Sequence, residues 1–179
     1  MYKRIGEAFP KRLQGKILGI SSLENLSFVI DEKNSEVILT EYPEVDIQNL
    51  PFPPKTFDYV ISDQVLEHVE DPRKAISESH RVLKEGGIAI HTTCFINYFH
   101  PSPYDYWRFS PDALRFLCKD FKIIIQCEGW GNKFATLLSL LGDRVRGIRI
   151  PDRKFSIRNW LATKNENRYP IVTWIIAQK

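Results

Sequence analysis

The chain has 179 residues, 43% of them hydrophobic and 26% charged, with a formal net charge of +3. That length fits one domain with one core, and the charge is too small to demand a nucleic-acid partner. No apolar run approaches the ~20 residues that span a bilayer. The N-terminus, MYKRIGEAFPKRLQGK, is basic but lacks the apolar middle of a secretory signal. Cys94, Cys118 and Cys127 are widely spaced and form no Cys-x-x-Cys pair. Structural zinc is therefore not expected, and buried free thiols in a reducing cytoplasm are.

In chain order, Gly15-Lys16 opens a first strand at Ile17–Ile20, unusually near the N-terminus, so that a lid helix is expected to be either missing from this sequence or supplied by Met1–Gln14. Ser22–Ile30 carries a weak helix signal, and β-branched Val37–Thr40 reads as a second strand. Val45-Asp46-Ile47 is a strand stub. The continuous apolar run Phe57–Ser62 is expected of a strand buried on both faces of a parallel sheet. Asp71-Pro72 starts a helix, the Asp capping and the Pro taking the first helical position. Ala75, Ile76, Ser79, Val82 and Leu83 share one stripe of it, and Glu85-Gly86-Gly87 ends it. Ile88–Thr92 is the next strand. Ser110-Pro111-Asp112 starts another helix, Phe121–Cys127 and Ile171–Ala177 are strands, and Phe134–Leu141 is a helix between them. The sum is one α/β domain, residues 1–179: a doubly wound, mostly parallel sheet with an antiparallel last strand and a helical, basic insertion over residues 131–168.

In open sheets of this kind ligands bind beyond the carboxyl ends of the strands. Ser21 and Ser22 follow the first strand, Glu41 and Tyr42 the second, and Asp46 sits on the stub. Asp63, Gln64, Glu67 and His68 follow the Phe57–Ser62 strand, and Thr93, Cys94 and Asn97 the Ile88–Thr92 strand. An acid at a second strand end can accept both hydroxyls of a ribose, and an Asp before a turn can accept from an adenine amino group. Polar residues also collect at strand ends for no reason but solvation.

The runs Asp46-Ile47-Gln48-Asn49-Leu50-Pro51-Phe52, Phe57-Asp58, Val65-Leu66-Glu67-His68 and Arg81-Val82-Leu83-Lys84-Glu85-Gly86-Gly87 make the pattern specific. They resemble the D-x-x-x-L-P-F, F-D, L-E-H and R-V-L-K-P-G-G pattern of class I S-adenosylmethionine (SAM) methyltransferases, in the branch called methyltransferase type 11. The resemblance covers residues 16 to 93. It implies a Rossmann-like SAM-methyltransferase fold with SAM as cofactor. Glu41 then matches the ribose-binding acid, Tyr42 lies against the adenine, and Asp46 with the Ile47 backbone holds the adenine amino group. Asp63 and Gln64 match positions flanking the methionine part, while Glu67-His68 matches a pair that is often structural.

The first loop departs from the family's D-x-G-x-G-x-G. Gly19 stands where the acid is expected, and Ser21, Leu23 and Asn25 replace glycines. A Cβ there opposes both the positive φ of the turn and close backbone approach to a cofactor. SAM carries no phosphate, so a looser site around Gly19 and Ser21 stays coherent. So does a non-catalytic binding or assembly module of the same fold, in which Leu23 or Glu24 would fill the cofactor cleft.

His100-Pro101-Ser102-Pro103-Tyr104-Asp105-Tyr106-Trp107-Arg108-Phe109-Ser110-Pro111 is similar to an H-x-x-x-x-D-Y-W-R-F-T-P signature of methyltransferase-like proteins linked to surface-polysaccharide synthesis. The implied acceptor is a small polar molecule or glycan, such as a sugar oxygen. His100 and Asp105 are the candidate bases, and Tyr104, Trp107 and Arg108 the candidate acceptor-binding groups. Packing of the loop onto the sheet is the plainer role for Arg108 and Phe109. His91, inside a strand, reads as a satisfied core histidine. Finally, Arg144 to Arg158 is strongly basic and could touch an anionic membrane surface, although such runs usually mark a solvated face.

Overall fold

The computed structural model describes residues 1–140, 160–161 and 163–179. Six strands form one sheet: β1 (Leu13–Ile20), β2 (Ile30–Thr40), β3 (Phe57–Asp63), β4 (Leu83–Cys94), β5 (Ile123–Trp130) and β6 (Val172–Gln178), in the order β2-β1-β3-β4-β6-β5. The pairs β1–β2, β1–β3 and β3–β4 are parallel. The last strand, β6, lies antiparallel between β4 and β5. The helices are α1 (Tyr2–Glu7), α2 (Pro72–Val82), α3 (Pro111–Leu117) and α4 (Lys133–Leu140). The basic run from Arg144 to Arg158 lies outside the described residues.

Two apolar clusters flank the sheet. One joins Leu18, Val60, Phe57, Leu66, Ile76, Val82, Leu114 and Ile175 beneath α2 and α3. The other joins Ile17, Ile61, Ile90 and Trp174 to Ile5 of α1 and to Leu23, Leu26 and Val29. Ile5 is fully buried, and burial of such a side chain stabilises by roughly 1.5–3 kcal/mol. That anchors α1, a helix of 6 residues that would be unstable alone.

Several expectations need adjustment. The helix foreseen at Ser22–Ile30 is a 3₁₀ turn, Glu24–Val29, and β2 begins at Ile30 rather than Val37. Val45-Asp46-Ile47 is a turn, not a strand stub: Asp46 Oδ1 accepts the Gln48 amide at 2.8 Å, and its carbonyl accepts the Asn49 amide at 2.9 Å. That side-chain bond to the backbone two residues on competes with any ladder. Helix α2 ends at Val82, and β4 starts at Leu83. Gly86 (φ +77°) then makes an irregularity within β4, not the helix exit. The Asp71 cap is as expected, its carboxylate accepting the Arg73 and Lys74 amides at 3.0 and 3.1 Å.

The motif residues of the strong stretch fasten this half together. Arg81 donates to the carbonyls of Leu50 and Phe52 at 3.0 and 2.8 Å and pairs with Glu78. Glu78 in turn accepts the Leu50 amide at 2.9 Å. Gln48 Oε1 accepts the Asp71 amide at 2.9 Å, tying the turn after Asp46 to the start of α2. Asp58 takes both the Lys84 ammonium and the Lys16 amide.

Candidate active site

The carboxyl ends of β1, β2 and β3 open into a cavity of about 400 Å³. Ile20, Ser21, Glu41, Tyr42, Asp46, Ile47 and Gln48 line one side. Gln64, Val65, His68, Glu70, Pro103, Tyr104 and Tyr106 line the other. The first loop keeps its turn without glycine: Ser21 has φ +65°, and its amide donates to the Thr40 carbonyl at 2.8 Å. Gln64, with φ +56°, makes a second such turn after β3. Non-glycine residues there are uncommon and cost of order 1–3 kcal/mol, a strain typical of ligand sites.

Leu23 does not fill the cleft. It is buried among Ile5, Leu26 and Val29 on the other face of the sheet, and Glu24 is exposed. Gly19 does not face the cavity either. A Cβ there would fall 2.5 Å from Leu23 Cδ1 and 2.6 Å from Leu39 Cδ2. Its lack of a side chain serves packing, which corrects its assignment to cofactor binding.

Asp63 also lies outside the cavity lining, although it directly precedes Gln64. The residue is only 9% exposed, and its carboxylate is occupied by the chain itself. The Tyr2 hydroxyl donates to both oxygens at 3.1 and 3.0 Å, and Asn25 Nδ2 donates to Oδ2 at 3.0 Å. The Thr92 hydroxyl donates to Oδ1. Burial, reinforced by the Asp63 charge, pushes the Tyr2 phenol well above its usual range, so it remains a donor.

The loop after β4 is a wall of the cavity rather than a set of free bases. The Asp105 side chain is fully buried. It grips Arg108 through two bonds, 2.5 and 2.7 Å long, and accepts the His100 amide at 2.8 Å. The guanidinium holds its carboxyl well below the usual range. Asp105 is therefore a poor base that shapes the loop, and Arg108 is spent on it and on the carbonyls of Tyr98 and Trp107. Trp107 does not line the cavity and donates to the carbonyl of Val69, which does, at 2.9 Å. His100 does not line the cavity; its Nδ1 meets the Tyr98 carbonyl at 2.9 Å. Of the five loop candidates, only Tyr104 lines the cavity.

His68, placed by the sequence after the Phe57–Ser62 strand in a pair that is often structural, does reach it. Its Nδ1 meets the Tyr104 carbonyl at 2.5 Å. A carbonyl only accepts, so Nδ1 carries the proton and Nε2 is left as the basic nitrogen. The signal that could have found it is its place six residues after Ser62 at a strand's carboxyl end, in the L-E-H run. The neighbouring Glu67 points the other way, fully buried, accepting from Thr93 Oγ1 at 2.7 Å, and burial raises its carboxyl above the usual range. Glu67, Cys94 and His100 bring ligand-type atoms within 4.8 Å of one another. The Arg108 charge acts on the same thiol and carboxylate and opposes a metal cation there. His91 is half satisfied. Nδ1 meets Ser62 Oγ at 2.7 Å, Nε2 has no partner among the described residues, and burial lowers the ring to about 4.

Residues 6–91 match the family model described as a methyltransferase domain. The chain is 34% identical over 108 residues to 2-methyl-6-phytyl-1,4-hydroquinone methyltransferase 2, chloroplastic, of Oryza sativa subsp. japonica, covering 59% of this chain and 29% of that one. It is 35% identical over 77 residues to the demethylmenaquinone methyltransferase of Staphylococcus epidermidis, covering 43% and 32%. The chain thus spans about a third of the length of these relatives. A SAM-dependent methyltransferase from Archaeoglobus fulgidus superposes with a TM-score of 0.62 at 16% identity, over 99% of this chain and 90% of that one. The fold shared with that structure runs through the whole chain, and residues 6–91, just under half of it, carry the match to the methyltransferase-domain model, so the chain has the SAM-methyltransferase fold.

Proposed function

We propose that this chain is a SAM-dependent methyltransferase whose cofactor lies in the cavity at the ends of β1, β2 and β3. The observation that carries this is the cavity itself, which keeps the two acids of the family pattern, Glu41 and Asp46, at its edge despite the lost glycines. At about 400 Å³ it is within the range of small-molecule sites. Glu41 would accept from the ribose hydroxyls. Asp46 keeps acceptor capacity beside its bonds to Gln48, and the buried Ile47 supplies backbone next to it. When bound, SAM supplies a methyl group on a positively charged sulfonium. The chain's part is to hold the acceptor in line and take its proton.

The acceptor side is the wall of His68, Pro103, Tyr104 and Tyr106, with Tyr42 opposite. Tyr104 and Tyr106 rings lie 5.6 Å apart and are 57% and 45% exposed, a surface that favours a flat ring. The names of the hydroquinone and demethylmenaquinone methyltransferases point to the same chemistry. A quinol ring is therefore the acceptor class favoured here, in place of the sugar oxygen inferred from the loop signature. His68 Nε2 would accept the ring hydroxyl's proton. The test is transfer of labelled methyl from SAM to a soluble naphthoquinol and, in parallel, to free hexoses. Transfer to the quinol is expected, and His68→Gln should lower kcat about 100-fold while leaving S-adenosylhomocysteine affinity unchanged. Methylation of hexose alone would reverse the acceptor assignment. Unaltered His68→Gln turnover would remove the base.

A further inference from the structure

Resting on that cofactor site, we propose that Tyr2 is a specificity-determining residue, an internal competitor for the amino-acid end of the cofactor. The nucleoside end of the cavity is open, but beyond Ser21 and Gln64 the cavity stops short of Asp63. Asp63 is the acidic group at the end of β3 suited to an ammonium, and its oxygens already hold Tyr2, Asn25 and Thr92. The Tyr2 hydroxyl is shared between both oxygens, the position a cation would take. An ammonium bonds a carboxylate more strongly than a neutral phenol does, so the ligand can displace the phenol. Its apparent affinity falls in proportion to the fraction of molecules in which Tyr2 has withdrawn.

The rest of α1 is not free to leave with the ring. Ile5 is fully buried, and Arg4 donates to both Glu128 oxygens at 3.0 Å. Rotation of the Tyr2 side chain is thus the motion that opens Asp63. A ligand with the same adenosine and sulfur but no amino-acid chain has no use for Asp63 and should ignore Tyr2. The site therefore discriminates between full cofactor products and tail-less thioadenosines, and Tyr2 sets the ratio.

Calorimetric titration of the full chain with S-adenosylhomocysteine and with 5′-deoxy-5′-methylthioadenosine tests this. Tyr2→Phe keeps the ring and removes the donor. It should tighten S-adenosylhomocysteine binding about 10-fold, the gain expected if Tyr2 is withdrawn in about a tenth of molecules, and leave methylthioadenosine affinity unchanged. Tyr2→Leu, checked for an intact melting transition, should show the same selective gain. An unchanged or weakened S-adenosylhomocysteine affinity in both variants would overturn the inference, as would equal gains for both ligands. Binding of neither ligand by any of the proteins would overturn the cofactor site along with it.

Discussion

Glu41 and Asp63 are both acids beyond the carboxyl end of a parallel strand, yet the molecule treats them differently. Glu41 is exposed at the rim of an open cavity, and Asp46 near it has one oxygen bonded only to the Gln48 side-chain amide. Asp63 is buried and surrounded by donors brought from α1, from the 3₁₀ turn and from β4. The difference teaches that strand-end position makes an acid available to a ligand only when the chain does not satisfy it first. The rim of this cleft thus keeps carboxylate oxygens that a ligand could reach, while the acid beside it is already satisfied by the chain.

The largest expected effect concerns β4, the strand that supplies Thr92 to Asp63. His91 lies on β4 beside Thr92 and is held neutral at about 4, below the ordinary histidine value. Between pH ~6.5 and ~4 the unfolded chain therefore binds a proton that the folded chain refuses. Stability present above this window should fall through it by up to about 3 kcal/mol. Glu67, whose carboxyl is raised by burial, acts in the opposite sense, so the comparison is with a variant. His91→Leu should flatten the acid limb of a denaturation–pH profile. A limb as steep as before would mean that the core of β4 does not hold a neutral histidine. A smaller effect is expected at the open end. Ser21→Gly relieves the φ of +65° and should raise stability by about 1 kcal/mol in denaturant titration. A loss of stability would show that the serine side chain, not the turn alone, holds the cavity edge.

The sheet was legible, apart from the polar first half of β2, because its central strands are apolar runs and its helices α2 and α3 open on Asp71-Pro72 and Ser110-Pro111. Local chemistry of that kind needs no distant partner. The cavity rim at Glu41, Tyr42 and Gln64 was legible for the same reason, being set by strand ends, while Asp46 reaches it from a turn. Three features were not. Tyr2 meets Asp63 across 61 positions of sequence, a contact that no spacing rule carries. Ser21 adopts a conformation usually left to glycine, because the sheet and the Thr40 carbonyl fix the turn. His100 and Asp105 have the residue types of a base pair, but Arg108, three residues after Asp105, neutralises the acid, and His68 reaches the cavity in their place.

The central claim is that the open end binds the adenosine part of SAM although the glycine loop is gone. Its most direct test is calorimetric titration of S-adenosylhomocysteine into the wild-type chain and Asp46→Ala. A single site with Kd near 100 μM or tighter is expected, weakened about 10-fold, or about 1.4 kcal/mol, by the substitution. Absence of heat at millimolar ligand, or binding indifferent to Asp46, would contradict it.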